Sequence, residues 1–170
     1  YREGWLYNGV KLSPKVITKD TREVTAKDLK GYDAVIHLAD LSNDPLGQHN
    51  PELTYAINHT ASMRVANLAK EAGVKRFIYS SSCSEYGIAT EDMVNDKSAL
   101  NPQTAYAKCK VLLEQHLKKI SDENFCVTMM RNATVYGPSP RMRFDLVVNN
   151  LSGLAHTTGE IKMLSDGTPW

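Results

Sequence analysis

The sequence predicts an α/β fold with a doubly wound parallel sheet, and three observations carry that prediction. Four short apolar runs recur along the chain: "KVITKD" (15–20), "DAVIHL" (33–38), "RFIYSS" (76–81) and "FCVTMMR" (125–131). Stretches with helical spacing lie between the last three runs. Those three runs also alternate poorly between apolar and polar residues, as strands do when both faces of a parallel sheet are covered. Strand–helix–strand order of this kind builds parallel sheets flanked by helices.

The first run ends in Asp20-Thr21, and the second leads into Ala39-Asp40. A polar loop, "SNDPLGQHNPE" (42–52), follows on the side where such sheets bind ligands; it reads either as pocket lining or as plain surface. In "ELTYAINHTASMRVANLAKEAG", Ile57, Ala61, Val65, Leu68, Ala69 and Ala72 recur at helical spacing, and Gly73 reads as the helix stop. The third run closes in "SSSCSEYG" (80–87), four hydroxyls and a thiol at a C-terminal strand end. That is where a site is expected; the alternative is a polar turn that caps the next segment. In "PQTAYAKCKVLLEQHLKKI", Ala105, Cys109, Leu112, Leu113, His116, Leu117 and Ile120 mark a helical face. Lys118 and Lys119 suit its C-terminal end, where cations favour the helix dipole. A third apolar helix, "RFDLVVNNLSGLAH", follows Gly137-Pro138.

Composition narrows the function classes. The 170 residues suffice for one domain with a real core. A net charge of +1 implies no general attraction to nucleic acid or anionic membrane. No apolar run reaches the length of a membrane span, and the start lacks a signal peptide's pattern. Cys83, Cys109 and Cys126 sit far apart, against a disulfide framework or zinc site, and a reducing cytoplasm is the simplest reading. The histidines at 37, 49, 59, 116 and 156 show no metal spacing.

Tyr106 and Lys110 are four apart and share one face of their helix. A free phenol has a pKa of about 10, and a neighbouring ammonium lowers it by roughly 1–3 units. A hydroxyl such as Ser82 can bond an oxygen that passes between alcohol and ketone. Together the three make a proton-transfer device for oxidising an alcohol or reducing a carbonyl.

In order, "RFIYSSSCSEYG", "NPQTAYAKCK" and "RNATVYGP" resemble the extended short-chain dehydrogenase/reductases, and more narrowly the NAD-dependent epimerase/dehydratase family acting on nucleotide sugars. The resemblance runs from about residue 15 to Trp170. It implies a Rossmann-like sheet, with residues 1–140 as a partial NAD-binding domain and 141–170 as the start of a substrate-binding region. It implies Ser82, Tyr106 and Lys110 as catalytic residues, with Lys110 also holding the nicotinamide ribose. It places Asp20 and Thr21 at the adenine, Leu38 and Ala39 along the cofactor, and Asn132 and Ala133 beside the nicotinamide. Asp40 stands where the family has a small residue. Asn58 matches an asparagine before the long helix that supports the cofactor site; a helix-start role is the alternative. Ser84, Thr134, Arg141 and Arg143 are substrate-side candidates, the arginines through bidentate bonds to a diphosphate; a solvated loop is the alternative for these two. The implied cofactor is NAD, with NADP not set apart, and the implied partners are a nucleotide sugar and a second copy of the chain.

Two departures from the family pattern stand out. The opening Gly-x-x-Gly-x-x-Gly turn, which cradles a pyrophosphate at a helix N-terminus, is absent from the sequence. The expectation is therefore an internal fragment that lacks the first βαβ unit and most of the substrate domain. Dehydratases of the family carry Asp-Glu directly after the catalytic Ser or Thr; here Cys83 and Ser84 hold those places, and Glu85 comes one position late. That favours 4-epimerisation or simple oxidoreduction over 4,6-dehydration. A non-catalytic dinucleotide sensor is the reading from another class, and the intact Ser82, Tyr106 and Lys110 argue against it.

Overall fold

A computed structural model describes residues 4–5, 11–12, 15–42, 49–88, 93–139, 142–163 and 166, the first four by backbone alone. Contacts divide the chain into two compact units, one of Lys19–Ala133 and one of the residues up to Thr18 and from Thr134 to Pro169. Within the second unit, β1 (Gly4–Trp5) pairs antiparallel with β2 (Lys11–Leu12).

In the central unit, α1 (Ala26–Leu29) precedes β3 (Ala34–His37). A helical stretch follows in three parts: α2 (Pro51–Thr54), a π-helical segment (Tyr55–Ala61) and α3 (Ser62–Glu71). Then come β4 (Arg76–Ser82), a 3-10 turn (Cys83–Tyr86), α4 (Ala105–Ile120) and β5 (Cys126–Asn132). The strands form a parallel sheet in the order β3-β4-β5, with His37 opposite Tyr79 and Ser82 opposite Asn132. This is the α/β, Rossmann-like arrangement that the sequence predicts.

Local chemistry sets the helix ends. Asn50 caps α2 by accepting from the Leu53 amide, with Pro51 at the first helical position, where its missing N–H costs nothing. Gly73, at φ +83°, ends α3: the Gly73 amide donates to Lys70 and the Val74 amide to Ala69, the paired bonds of a Schellman motif. Thr104 caps α4 by accepting from the Ala107 amide. Lys118 and Lys119 occupy the last turn of α4.

Val65, Ala66, Ala69, Val74, Phe77, Tyr79, Leu113, Leu117 and Phe125 form the core, where α3 and α4 cover one face of the sheet. Burying each large side chain there contributes about 1.5–3 kcal/mol.

Three expectations are corrected. The run at 15–20 forms no strand; Val16 and Ile17 are about half exposed and Asp20 caps a 3-10 turn at Thr21–Glu23. Its β-branched residues suit a strand, but strand propensity acts only where a neighbouring strand offers a packed surface. The sheet is also not covered on both faces among the described residues. β4 alternates, with Phe77, Tyr79 and Ser81 buried, while Ile36 and Met130 on the other face are exposed. Finally, the buried face of α4 is not purely apolar. Lys110 and Glu114 lie in it, and Leu112 is exposed instead, because each buried charge has a partner across the sheet end. The apolar helix expected over 143–156 forms as α5 (Val147–Thr158) in the other unit. No helix of the described residues is long and apolar enough to cross a membrane.

Candidate functional site

Lys110 is the centre of the site. From α4 its ammonium reaches the end of β4 and donates to the Ser80 carbonyl at 2.5 Å. It also donates to Asp40 Oδ2 at 2.5 Å, and both side chains of that pair are at least 96% buried. The same ammonium lies 5.2 Å from the centre of the Tyr106 ring and 4.5 Å from that of Tyr79. Cations over aromatic faces gain about 0.5–2 kcal/mol, more as the site dries. The i, i+4 spacing on α4 thus does what the sequence suggests: it puts Tyr106 and Lys110 on one face.

The chain after β3 is held so that Asp40 meets Lys110. The Asp40 amide bonds back to the Leu38 carbonyl, a tight turn at the strand end. On one side of that turn His37 Nε2 meets Ser62 Oγ at 2.8 Å. On the other, Asn58 Nδ2 donates to the Leu41 carbonyl at 3.0 Å, while the Leu41 amide donates to Asn58 Oδ1 at 2.8 Å. Asn58 and Ser62 project together from the π-helical segment and the first residue of α3. Asn58 is fully buried inside a continuous helix rather than standing before one, and its amide is engaged on both sides by Leu41.

The serines divide the work. The Ser80 hydroxyl accepts from Asn132 Nδ2 at 3.1 Å, which joins the ends of β4 and β5. Ser81, on the opposite face, donates to the buried Glu85. Ser82 accepts from the Ser84 amide at 3.2 Å and the Ser84 hydroxyl at 2.9 Å, so it caps the 3-10 turn. A hydroxyl has one donor and two acceptor sites; Ser82 accepts twice and keeps its own O–H to donate. The residues of "SSSCSEYG" thus cap a turn, through Ser82, and stand at the strand end, where the Ser80 carbonyl meets Lys110.

Electrostatics follow burial. Burial pushes the Asp40 carboxyl up, and Lys110 pulls it back only in part. Burial, with help from Lys110, lowers His37 to about 4, and burial pushes Cys109 up to about 12. Tyr79, fully buried beside Asp40, is held far above the usual phenol range. Below the strand end lies a second buried group. Arg131 donates to Glu114 at 3.0 and 2.6 Å and to the Tyr86 hydroxyl at 3.1 Å, and lies 3.0 Å from Glu85 Oε2. Burial raises Glu85 to about 7. Bonds from Arg131 hold Glu114 below the ordinary carboxylate range despite its burial.

Other candidate residues stand apart from this cluster. Asp20 is exposed, and its carboxylate accepts two bonds from the Arg22 guanidinium, which hold it down to about 2. Thr21 begins the 3-10 turn that Asp20 caps. Leu38 and Ala39 are exposed at the end of β3, and Ala133 follows Asn132 at the end of β5. Thr134 and Arg143 belong to the other unit, where Arg143 pairs with Asp145. Arg141 lies outside the described residues, as does the middle of the 42–52 loop.

The sequence reading left Asp40's contact open and missed the Ser80 carbonyl as a ligand of Lys110. A signal was present: an acid stands where the run "VIHLA" otherwise continues with small and apolar residues. The donor set fits the ribose side of a dinucleotide, because Lys110 supplies a cation and Asp40 Oδ1 is buried without a hydrogen-bond partner.

Comparison with known proteins bears on the family and the fold. The model of the NAD dependent epimerase/dehydratase family matches residues 15–170. The chain is similar to the human sterol-4-alpha-carboxylate 3-dehydrogenase (decarboxylating), 32% identical over 115 residues, covering 65% of this chain and 30% of the relative. It is also similar to the UDP-glucose 4-epimerase of Bacillus subtilis (strain 168), 26% identical over 143 residues, covering 72% and 42%. Among solved structures, an NAD-dependent NDP-hexosamine 5,6-dehydratase involved in tunicamycin biosynthesis superposes with a TM-score of 0.75 at 29% identity, covering 88% of this chain and 49% of that one. The matched part of the chain thus spans less than half the length of each of these relatives.

Proposed function

Since the chain belongs to the NAD-dependent epimerase/dehydratase family, we propose that it carries the acid–base half of an enzyme that oxidises and re-reduces a nucleotide sugar, as a 4-epimerase does. The observation that supports this most is the single ammonium of Lys110, which touches the β4 end and lies against the Tyr106 ring.

Tyr106 takes the proton from a sugar hydroxyl and later returns it to the keto oxygen. Lys110 favours the phenolate form that this requires. Ser82 donates its free O–H to the same oxygen and stabilises the charge that builds there. NAD, when bound, supplies the hydride acceptor. Lys110 and Asn132 would hold its nicotinamide side, with Leu38 and Ala39 beside it, and Ser84 would serve the sugar nucleotide.

Dehydration is the less favoured branch. Cys83 and Ser84 lie in the 3-10 turn where an acid would be needed, and Glu85 is fully buried against Ser81 and Arg131. The test is to add UDP-, dTDP- and GDP-sugars to the enzyme and to follow reduction of bound NAD and sugar inversion at C4. Inversion with cofactor recycling supports the reading. Robust release of a 4-keto-6-deoxy sugar from dTDP-glucose, or no reduction with any sugar, would overturn it.

A further inference from the structure

We infer that Asp40 is a positioning residue that acts through Lys110: paired with the ammonium at the strand end, it limits how strongly that charge acts on Tyr106. This inference rests on the reading of Tyr106 as the acid–base group.

The geometry is specific. Asp40 and Lys110 are 70 positions apart in sequence yet meet at 2.5 Å with almost no exposed side-chain surface. The turn that presents Asp40 is clamped on both sides, by His37–Ser62 and by Asn58–Leu41. So much buried hydrogen bonding around one acid keeps it from swinging away. A buried carboxylate beside a buried ammonium leaves little net charge. Tyr106 therefore faces a nearly neutral pair rather than a bare cation.

The groups around Asp40 sharpen the expectation. Tyr79 faces it from β4, and Cys109 and Lys110 from α4; Lys110 also acts on His37 of β3, and Tyr106 and Glu85 act on Tyr79. Near neutral pH, His37, Tyr79 and Cys109 carry no charge, for the reasons of burial given above. Burial raises Glu85 to about 7, with Ser81, Glu114 and Arg131 also acting on it, and Asp40 is not among the groups that shift it. The difference between wild type and an Asp40 variant therefore isolates the Asp40 charge.

Lys110 keeps its Ser80 carbonyl and both aromatic faces when Asp40 is replaced. Its cation then acts on Tyr106 unopposed, and the phenolate becomes easier to form. A unit charge removed at about 10 Å in a medium of effective dielectric about 20 shifts a titration by about one unit.

The experiment is an NMR titration of carbon-13-labelled tyrosine, with Tyr106 assigned by loss of its signal in Tyr106→Phe. It is run beside the pH–rate profile for NAD reduction by the best nucleotide sugar. Asp40→Asn should lower the Tyr106 midpoint by about one unit and move the rising limb of the rate profile down with it. Asp40→Ala, which leaves no polar group behind, serves where Asp40→Asn does not fold. Asp40→Glu, which restores the carboxylate, should bring the midpoint back toward wild type. A midpoint that stays put or rises in the folded Asn or Ala variant overturns the inference, as does a Glu variant that behaves like Ala. A midpoint that falls as expected in a protein that reduces NAD with no sugar leaves the inference standing and removes the proposed function instead.

Discussion

Replacing Gly87 with alanine should destabilise the chain by about 3 kcal/mol. Gly87 closes "SSSCSEYG" at φ +56°, ψ −130°, a region that side chains avoid. Holding a residue with a Cβ there costs about 1–3 kcal/mol. The space is closed as well: a methyl at 87 would lie 1.9 Å from the Asn101 carbonyl oxygen and 2.9 Å from its carbon. Those are backbone atoms, so relief means moving the loop, and that loop is tied down by the Asn101 amide donating to Glu85 at 2.9 Å. Losing this bond adds about 0.5–1.5 kcal/mol, while the stiffer unfolded chain offsets about 0.4–1 kcal/mol. Gly73 is the internal control. It also has positive φ, +83°, but a methyl there would meet no atom within 4 Å, so Gly73→Ala should cost only about 1 kcal/mol. Urea unfolding with slopes of about 1–3 kcal/mol/M should show a midpoint lower by about 1 M or more for Gly87→Ala. A midpoint equal to wild type, or a larger loss at Gly73, would refute the packing argument.

Tyr106→Phe should cut turnover by about 10²–10⁴-fold while cofactor stays bound, measured by steady-state rates beside cofactor fluorescence; activity within a few-fold of wild type would remove Tyr106 from its role. Asn58→Ala strands the Leu41 amide and carbonyl, and should cost about 2–4 kcal/mol in urea unfolding, with a rise in the cofactor Kd as the Asp40 turn loosens. Glu85 has a folded pKa raised from 4.5 to about 7. The protonated form is thus favoured by folding, and its stabilising contribution is full below about 4.5 and lost as pH rises through about 7. Glu85→Gln should lose that decline, so stability curves of variant and wild type against pH should differ in slope between these values; parallel curves would contradict the assignment.

Much of the scaffold was legible because its determinants are local. Gly73 marks a helix end since few other residues adopt its backbone angles cheaply, while Asn50, a cap in the structure, reads in the sequence only as part of the 42–52 loop. The Tyr106/Lys110 face follows from helical geometry alone. What escaped is non-local. Asp40 stands out as an acid after an apolar run, but nothing beside it says that its partner is Lys110, 70 positions away, and nothing near Glu114 announces Arg131. Counting apolar residues therefore gave Leu112 to the buried face of α4 and left Glu114 out. The strand expected at 15–20 failed for a related reason: strand formation depends on a partner that no single run contains.

The π-helical segment over Tyr55–Ala61 has a consequence for how this protein tolerates change in length. A π turn holds more residues than an α turn, so it acts as one residue inserted in an otherwise regular helix. Downstream, α3 must keep Val65, Ala66 and Ala69 toward the sheet; upstream, α2 must keep Thr54 inward. A single deletion between 55 and 61 would let the stretch wind as plain α-helix with both flanks still in phase. The fold would survive such a deletion, and the hold of Asn58 on Leu41 would not. The helix thus carries its structural and its site-shaping duties in separable registers, and one codon lies between them.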